Sequence, residues 1–161
     1  MIGLEPSCLA TLRSDATELT GSIADILTLA ELVELRQLPL PDLTGVDVVA
    51  QPHCHHHAVI GWATDQRLLE RAGATVTRVA GCCGLAGNFG MEKGHYEVSV
   101  AVAETHLLPA VWANPRAVVL ADGMSCRVQL DDLANVRSLH LAELLAARSS
   151  TDRHRLSRPN S

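Results

Sequence analysis

The chain has few aromatic residues and almost no lysine. One Phe, one Tyr and two Trp are spread over 161 residues, and Lys93 is the single lysine. Eighteen acidic residues against thirteen basic ones give a formal net charge of −5. An acidic balance with so few stacking rings argues against a nucleic-acid binder. No apolar run approaches the roughly 20 residues that span a bilayer, so no transmembrane segment is expected. The N-terminus MIGLEPSCLATLR lacks a basic stretch followed by an apolar one, so no secretory signal is legible. The expected location is the cytoplasm, with peripheral attachment at the inner face of a membrane as the variant. The cysteine count is five, which is odd and makes a poor disulfide framework in a reducing compartment. With eight histidines beside them, metal or redox chemistry leads.

The length fits one domain able to bury about two-thirds of its unfolded surface. MIGLEP reads as the end of a strand closed by Pro6, and Cys8 to Glu18 as a short helix. Ser22 is the expected N-cap of a second helix carrying Ile23, Ile26, Leu27, Ala30 and Val33 at helical spacing. After a Pro-containing linker from Leu38 to Gly45, strands and helices alternate. Strands are expected at Val46–Ala50, Thr75–Ala80 and Ala117–Ala121. Helices are expected at Ala58–Ala72, Met91–Leu108, Cys126–Leu133 and Leu141–Ala147, with Pro109 ending or kinking the second of these. This pattern predicts an α/β fold with a mainly parallel sheet flanked by helices. The polar stretch Ser149–Ser161 is expected to be a disordered tail.

The cysteines fall at junctions. Cys8 follows the first strand, Cys54 the Val46 strand, Cys82 and Cys83 the Thr75 strand, and Cys126 the Ala117 strand. In an open parallel sheet such positions converge on one edge. Any one cysteine is explained by core packing; five at one topological position point to a shared metal site. Adjacent Cys82 and Cys83 do not readily pair with each other, but both can reach one polynuclear centre. Soft thiolates suit iron–sulfur clusters, zinc or copper(I). Gly84, Gly87 and Gly90 in GCCGLAGNFG let backbone pass close to a cluster and aim N–H groups at its sulfurs. A phosphate-cradling loop is the rival, but the spacing is GxxGxxG rather than GxGxxG. Among the histidines, His53 and His55 bracket Cys54 and are candidates to line the cofactor. His56 and His57 read as a polar turn before the next helix, and His95 and His106 as helix positions with no metal role.

Five segments together resemble the cysteine-rich CCG domain of iron–sulfur oxidoreductases: GLEPSC, QPHCHHHAV, GCCGLAGNFGMEKGHYEVSVAVAE, LLPAV, and ADGMSCRVQL followed by HLAELLA. Related domains occur in heterodisulfide reductases and in the iron–sulfur subunits of glycolate oxidases. The resemblance is strongest to the C-terminal end of FAD-linked oxidases of D-2-hydroxy acids, and covers residues 2 to 147. It implies cluster ligation, of the 4Fe-4S type, by Cys8, Cys82, Cys83 and Cys126, with Cys54 as a fifth candidate. Where the family pattern ends in CxxC, this chain has Gly123-Met124-Ser125-Cys126, and Cys54 is then available for the missing thiolate. The implied partners are an FAD-containing oxidase module or subunit and a ferredoxin-like iron–sulfur segment, since neither an FAD module nor a CxxCxxC run is present. Residues 1–148 are therefore expected to be an N-terminally incomplete CCG domain, without substrate turnover of its own. Two other readings stand beside it. One is a structural zinc site using Cys54, Cys82, Cys83 and His53; the other is a metal-free remnant with an exposed sheet edge.

Overall fold

A short, valine-rich strand sits at the centre of the molecule. In a computed structural model, which describes residues 1–20 and 26–149, β1 (Asp47–Ala50) lies between β2 (Thr75–Arg78) and β3 (Val118–Leu120). Both pairings are parallel, with Val48 opposite Val76 on one side and Val118 on the other. β-Branched residues suit this pleated, doubly covered position. Successive side chains alternate between the faces. Val48 and Ala50 enter one core and Val49 enters the other.

Each face is closed by helices. The first receives Ala30 and Val33 from α3 (Leu29–Arg36), Leu68 and Leu69 from α4 (Ala63–Arg71), and Leu141 and Leu144 from α8 (Leu141–Ser149). The second receives Leu107 and Val111 from α6 (Leu107–Ala113), and Cys126 and Leu130 from α7 (Met124–Ala134). Each fully buried leucine contributes roughly 1.5–3 kcal/mol. The expected α/β architecture with a parallel sheet is what the structure shows.

Strand order positions the site. The chain leaves β1 through α4 to reach β2, then returns through α5 (Tyr96–Thr105) and α6 to β3 on the opposite side of β1. Beyond β3, Leu139 pairs in parallel with Leu120 on the far side. The segments leaving β1 and β3 therefore diverge, which opens a crevice at their carboxyl ends.

Several helix boundaries differ from the sequence expectation. The first strand is reduced to one bridge, Ile2 with Leu27, before α1 (Pro6–Arg13). Glu5 caps α1 by accepting the Cys8 N–H at 2.9 Å, and Pro6 occupies a first-turn position where no amide is needed. The helix expected to run to Glu18 breaks at Ser14, whose hydroxyl donates to the Ala10 carbonyl at 2.7 Å; α2 (Asp15–Thr20) follows. The next helix starts at Leu29, because Thr28 and Glu31 form a reciprocal capping box. Ile26 and Leu27 precede it, and the expected cap Ser22 lies outside the described residues. His56–Ile60 form a π-helical turn ended by Gly61 before α4 begins. The long helix expected from Met91 starts at Tyr96 and divides at His106, so Pro109 sits in the first turn of α6, where it is tolerated. Ser149 closes α8, and the rest of the expected tail lies outside the described residues.

Candidate metal centre

Four thiols gather at the carboxyl edge of the sheet. Cys54 follows β1, Cys82 and Cys83 follow β2, and Cys126 lies in the first turn of α7 after β3. Gln51, 2% exposed, joins the first two loops by donating to the Gly81 carbonyl at 3.0 Å and the Pro52 carbonyl at 3.1 Å. That contact holds Cys54 Sγ 3.2 Å from Cys82 Sγ. The backbone N–H of Gly84 donates to Cys82 Sγ at 3.4 Å. Cys83 and Cys126 are buried in the second core, while Cys82 is half-buried and Cys54 exposed.

The four thiols are linked by hydrogen bonds. Hydrogen bonds from Cys54 and then Cys83, joined by the Gly84 amide, outweigh burial and pull the Cys82 pKa well down. The Cys54 thiol is pushed up, first by its hydrogen bond to Cys82 and then by burial. Cys83 is pushed up by hydrogen bonding with Cys126, then with Cys82, and by burial. Cys82 thus accepts hydrogen bonds from the Cys54 thiol and the Gly84 amide. Clustered thiols, which release protons on metal binding, are suited to a soft cation.

Cys8 is placed differently. It is exposed on the first turn of α1 and makes no hydrogen bond with the other four thiols among the described residues. Its segment reaches the site through Ser7, whose hydroxyl lies 3.4 Å from His53 Nε2.

His53 is buried beside the thiols. Its Nδ1 accepts the His55 N–H at 3.2 Å, and the His55 ring packs edge-on against it at 5.4 Å. Burial, opposed by Glu5, lowers its pKa. The ring lies against Gly123, where a Cβ would overlap His53 Cδ2. A side chain at position 123 therefore has no room, because the His53 imidazole occupies that space. The three glycines of the turn do unlike things. Gly84, at φ +96°, presses against the Ser99 carbonyl, where a Cβ would collide with backbone. The Gly87 N–H donates to Ser125 Oγ at 3.2 Å, and the Gly90 N–H to the Leu85 carbonyl at 3.0 Å.

With this geometry in view, the known proteins similar to the chain are informative. It is 28% identical over 153 residues to D-2-hydroxyglutarate dehydrogenase of Escherichia coli K12, covering 90% of this chain and 15% of that protein. The counterpart from Pantoea ananatis is 25% identical over 138 residues, covering 81% of this chain and 14% of that protein. One subunit of the anaerobic glycerol-3-phosphate dehydrogenase of E. coli K12 is 28% identical over 159 residues, covering 91% of this chain and 39% of that protein. No family model matches the chain. The chain is a distant relative of segments of oxidoreductases. It spans only a small part of the D-2-hydroxyglutarate dehydrogenases and under half of the glycerol-3-phosphate dehydrogenase polypeptide. No helix among the described residues is long and apolar enough to cross a membrane.

The reading from sequence overlooked Gln51, which joins two cysteine loops, and a buried polar group behind them. His56 is 3% exposed rather than part of a surface turn, and its Nε2 lies 3.3 Å from Asp65 Oδ2. Asp122, one residue before Gly123, completes this group. Its position just past β3 obeys the same carboxyl-edge rule that located the cysteines, and that signal was available.

Proposed function

We propose that residues 1–148 form an iron–sulfur electron-transfer domain of the CCG type that works with an FAD-linked oxidoreductase of D-2-hydroxy acids. The observation that carries this reading is the convergence of Cys54, Cys82, Cys83 and Cys126 from three loops, with two sulfurs 3.2 Å apart. A soft, all-sulfur donor set fits an iron–sulfur cluster of the 4Fe-4S type. When bound, such a cluster supplies one-electron transfer at a potential set by its surroundings.

The protein's own residues divide the remaining work. Cys54, Cys82, Cys83 and Cys126 are the ligands, with Cys8 as a further one brought in by movement of the α1 end. Gly84 offers its N–H to sulfur. His53 and His55 cover one side of the site, His53 acting as a positioning residue because both ring nitrogens already face partners. Leu85, Val111 and Leu130 pack with Cys83 and Cys126 and keep water from that side. Exposed Phe89, Met91 and Met124 flank the cysteine segments and give an apolar surface for an FAD-containing module or subunit, or a ferredoxin-like segment. The relatives' names favour a D-2-hydroxy acid as the substrate of the larger enzyme, with turnover on the partner and a cytoplasmic or inner-face location.

Purification without oxygen, followed by reconstitution with iron and sulfide, tests the reading. Iron and acid-labile sulfide in matching amounts, with visible absorption, are expected. Stoichiometric zinc with no iron would establish the structural-zinc alternative instead, and a colourless, metal-free protein would overturn both.

A further inference from the structure

Close to the thiols lies a second donor set of different chemistry. One ring nitrogen of His56 and one carboxylate oxygen each from Asp65 and Asp122 all lie within 4.8 Å of one another. The His56 and Asp65 side chains are only 4% and 3% exposed. Among the described residues, neither His56 ring nitrogen, nor Asp65 Oδ2, has a hydrogen-bond partner. The His56–Asp65 approach at 3.3 Å is close but lacks hydrogen-bond geometry. These groups line a cavity of about 10 Å³, room for one water-sized sphere. Leaving three such atoms without hydrogen bonds in the interior is costly.

The supporting contacts orient the donors. Asp122 Oδ1 accepts the Leu141 N–H at 2.7 Å and lies 3.6 Å from His140 Nε2, which leaves its second oxygen for a ligand. His140 is itself fixed, its Nδ1 accepting the Ala142 N–H at 2.9 Å and its Nε2 facing the Leu4 carbonyl at 3.0 Å. Carboxylate oxygens braced in this way are typical of metal ligands.

We propose that His56, Asp65 and Asp122 form a separate site for one divalent transition-metal cation, zinc fitting best. Ligand atoms about 2.1 Å from a tetrahedral zinc stand about 3.4 Å apart, close to the observed His56–Asp65 separation. Imidazole with carboxylate suits zinc far better than it suits an iron–sulfur cluster. The cavity excludes organic ligands and admits one ion. An ion there would tie α4, the end of β3 and the turn carrying His56 into one unit directly behind Cys54. This site does not rest on the reading of the thiols, and either can fail alone.

Cobalt(II) is the probe, added to the chelator-stripped full chain and followed by absorption. Cobalt on thiolates gives sulfur-to-metal charge transfer, and cobalt on imidazole and carboxylate gives only d–d bands. The expected result is one equivalent with the second signature, whether or not the thiols are loaded. Asp65→Asn should weaken that equivalent at least tenfold and leave the charge-transfer band unchanged, and Asp122→Asn should do the same. Zinc should raise the melting temperature of the native chain and not of the variants. Should neither variant fold, the native spectrum and the zinc-dependent melt decide alone. Cobalt bound solely through sulfur, nitrogen/oxygen-bound cobalt indifferent to both variants, or a melt unmoved by zinc would each overturn the site; in the last case the cavity holds water.

Discussion

Two clusters of chemically active side chains lie at the same end of this sheet, and they differ in hardness, exposure and legibility. The thiol cluster is soft, partly open, and assembled from residues one step beyond strand ends. The His56–Asp65–Asp122 group is hard, buried, and includes a residue from within α4. Both depend on the crevice where the chain leaves β1 and β3 in opposite directions. The comparison shows that one topological feature can gather two donor sets of different chemistry.

The two regions can be separated by substitution. Cys82→Ser should have the largest effect, since Cys82 is hydrogen-bonded to Cys54, Cys83 and Gly84 at once. Iron bound after anaerobic reconstitution is expected to fall at least tenfold, with the nitrogen/oxygen-type cobalt signal unchanged. Loss of both would show that the two clusters are a single unit. Leu68→Ala, at a fully buried position on the α4 face, should cost about 2–5 kcal/mol in denaturant unfolding. It should loosen the Asp65 side more than the thiols.

Smaller effects test the boundary between the regions. Gly123→Ala places a methyl against the His53 ring and should cost about 1–3 kcal/mol. It should lower iron loading by displacing His53, and an unchanged iron content would remove His53 from any positioning role. Thr28→Ala removes half of the capping box and should cost about 1 kcal/mol, read from thermal melting, with little effect on either cluster. The same region carries a pH signature. Burial raises the Glu31 carboxyl, but Arg13 and the Thr28 N–H outweigh it, and the net pKa falls below 4.5. The stabilisation it provides is therefore complete above about pH 4.5 and lost as pH falls through the depressed folded value. Arg13→Met should flatten that part of the stability profile.

Much of the fold was legible because its signals are local. Valine-rich segments bounded by Gly and Pro located β1, β2 and β3 to within a residue or two. Helix interruptions were harder to see, because each depends on competition between hydrogen bonds that sequence periodicity does not weigh. Ser14 diverts the Ala10 carbonyl, Thr28 starts a helix that apolar spacing had placed earlier, and Pro109 is harmless because the break falls three residues before it. The cysteine positions announced a site through strand-end logic alone. Gln51 and Asp65 did not, because a glutamine or aspartate in a buried position looks in sequence like any surface residue.

The sequence by itself determined that this is an α/β chain, that its cysteines gather at the carboxyl edge of a parallel sheet, and that its charge and composition do not suit nucleic acid. Strand-end position is enough for those conclusions, since alternation of strand and helix fixes which edge each junction occupies. Tertiary structure decided which thiols touch, that position 123 has no room for a side chain, and that His56 turns inward to meet Asp65 and Asp122. These outcomes follow from excluded volume and burial between segments far apart in the chain: one imidazole fills the space over Gly123, and another is enclosed with two carboxylates.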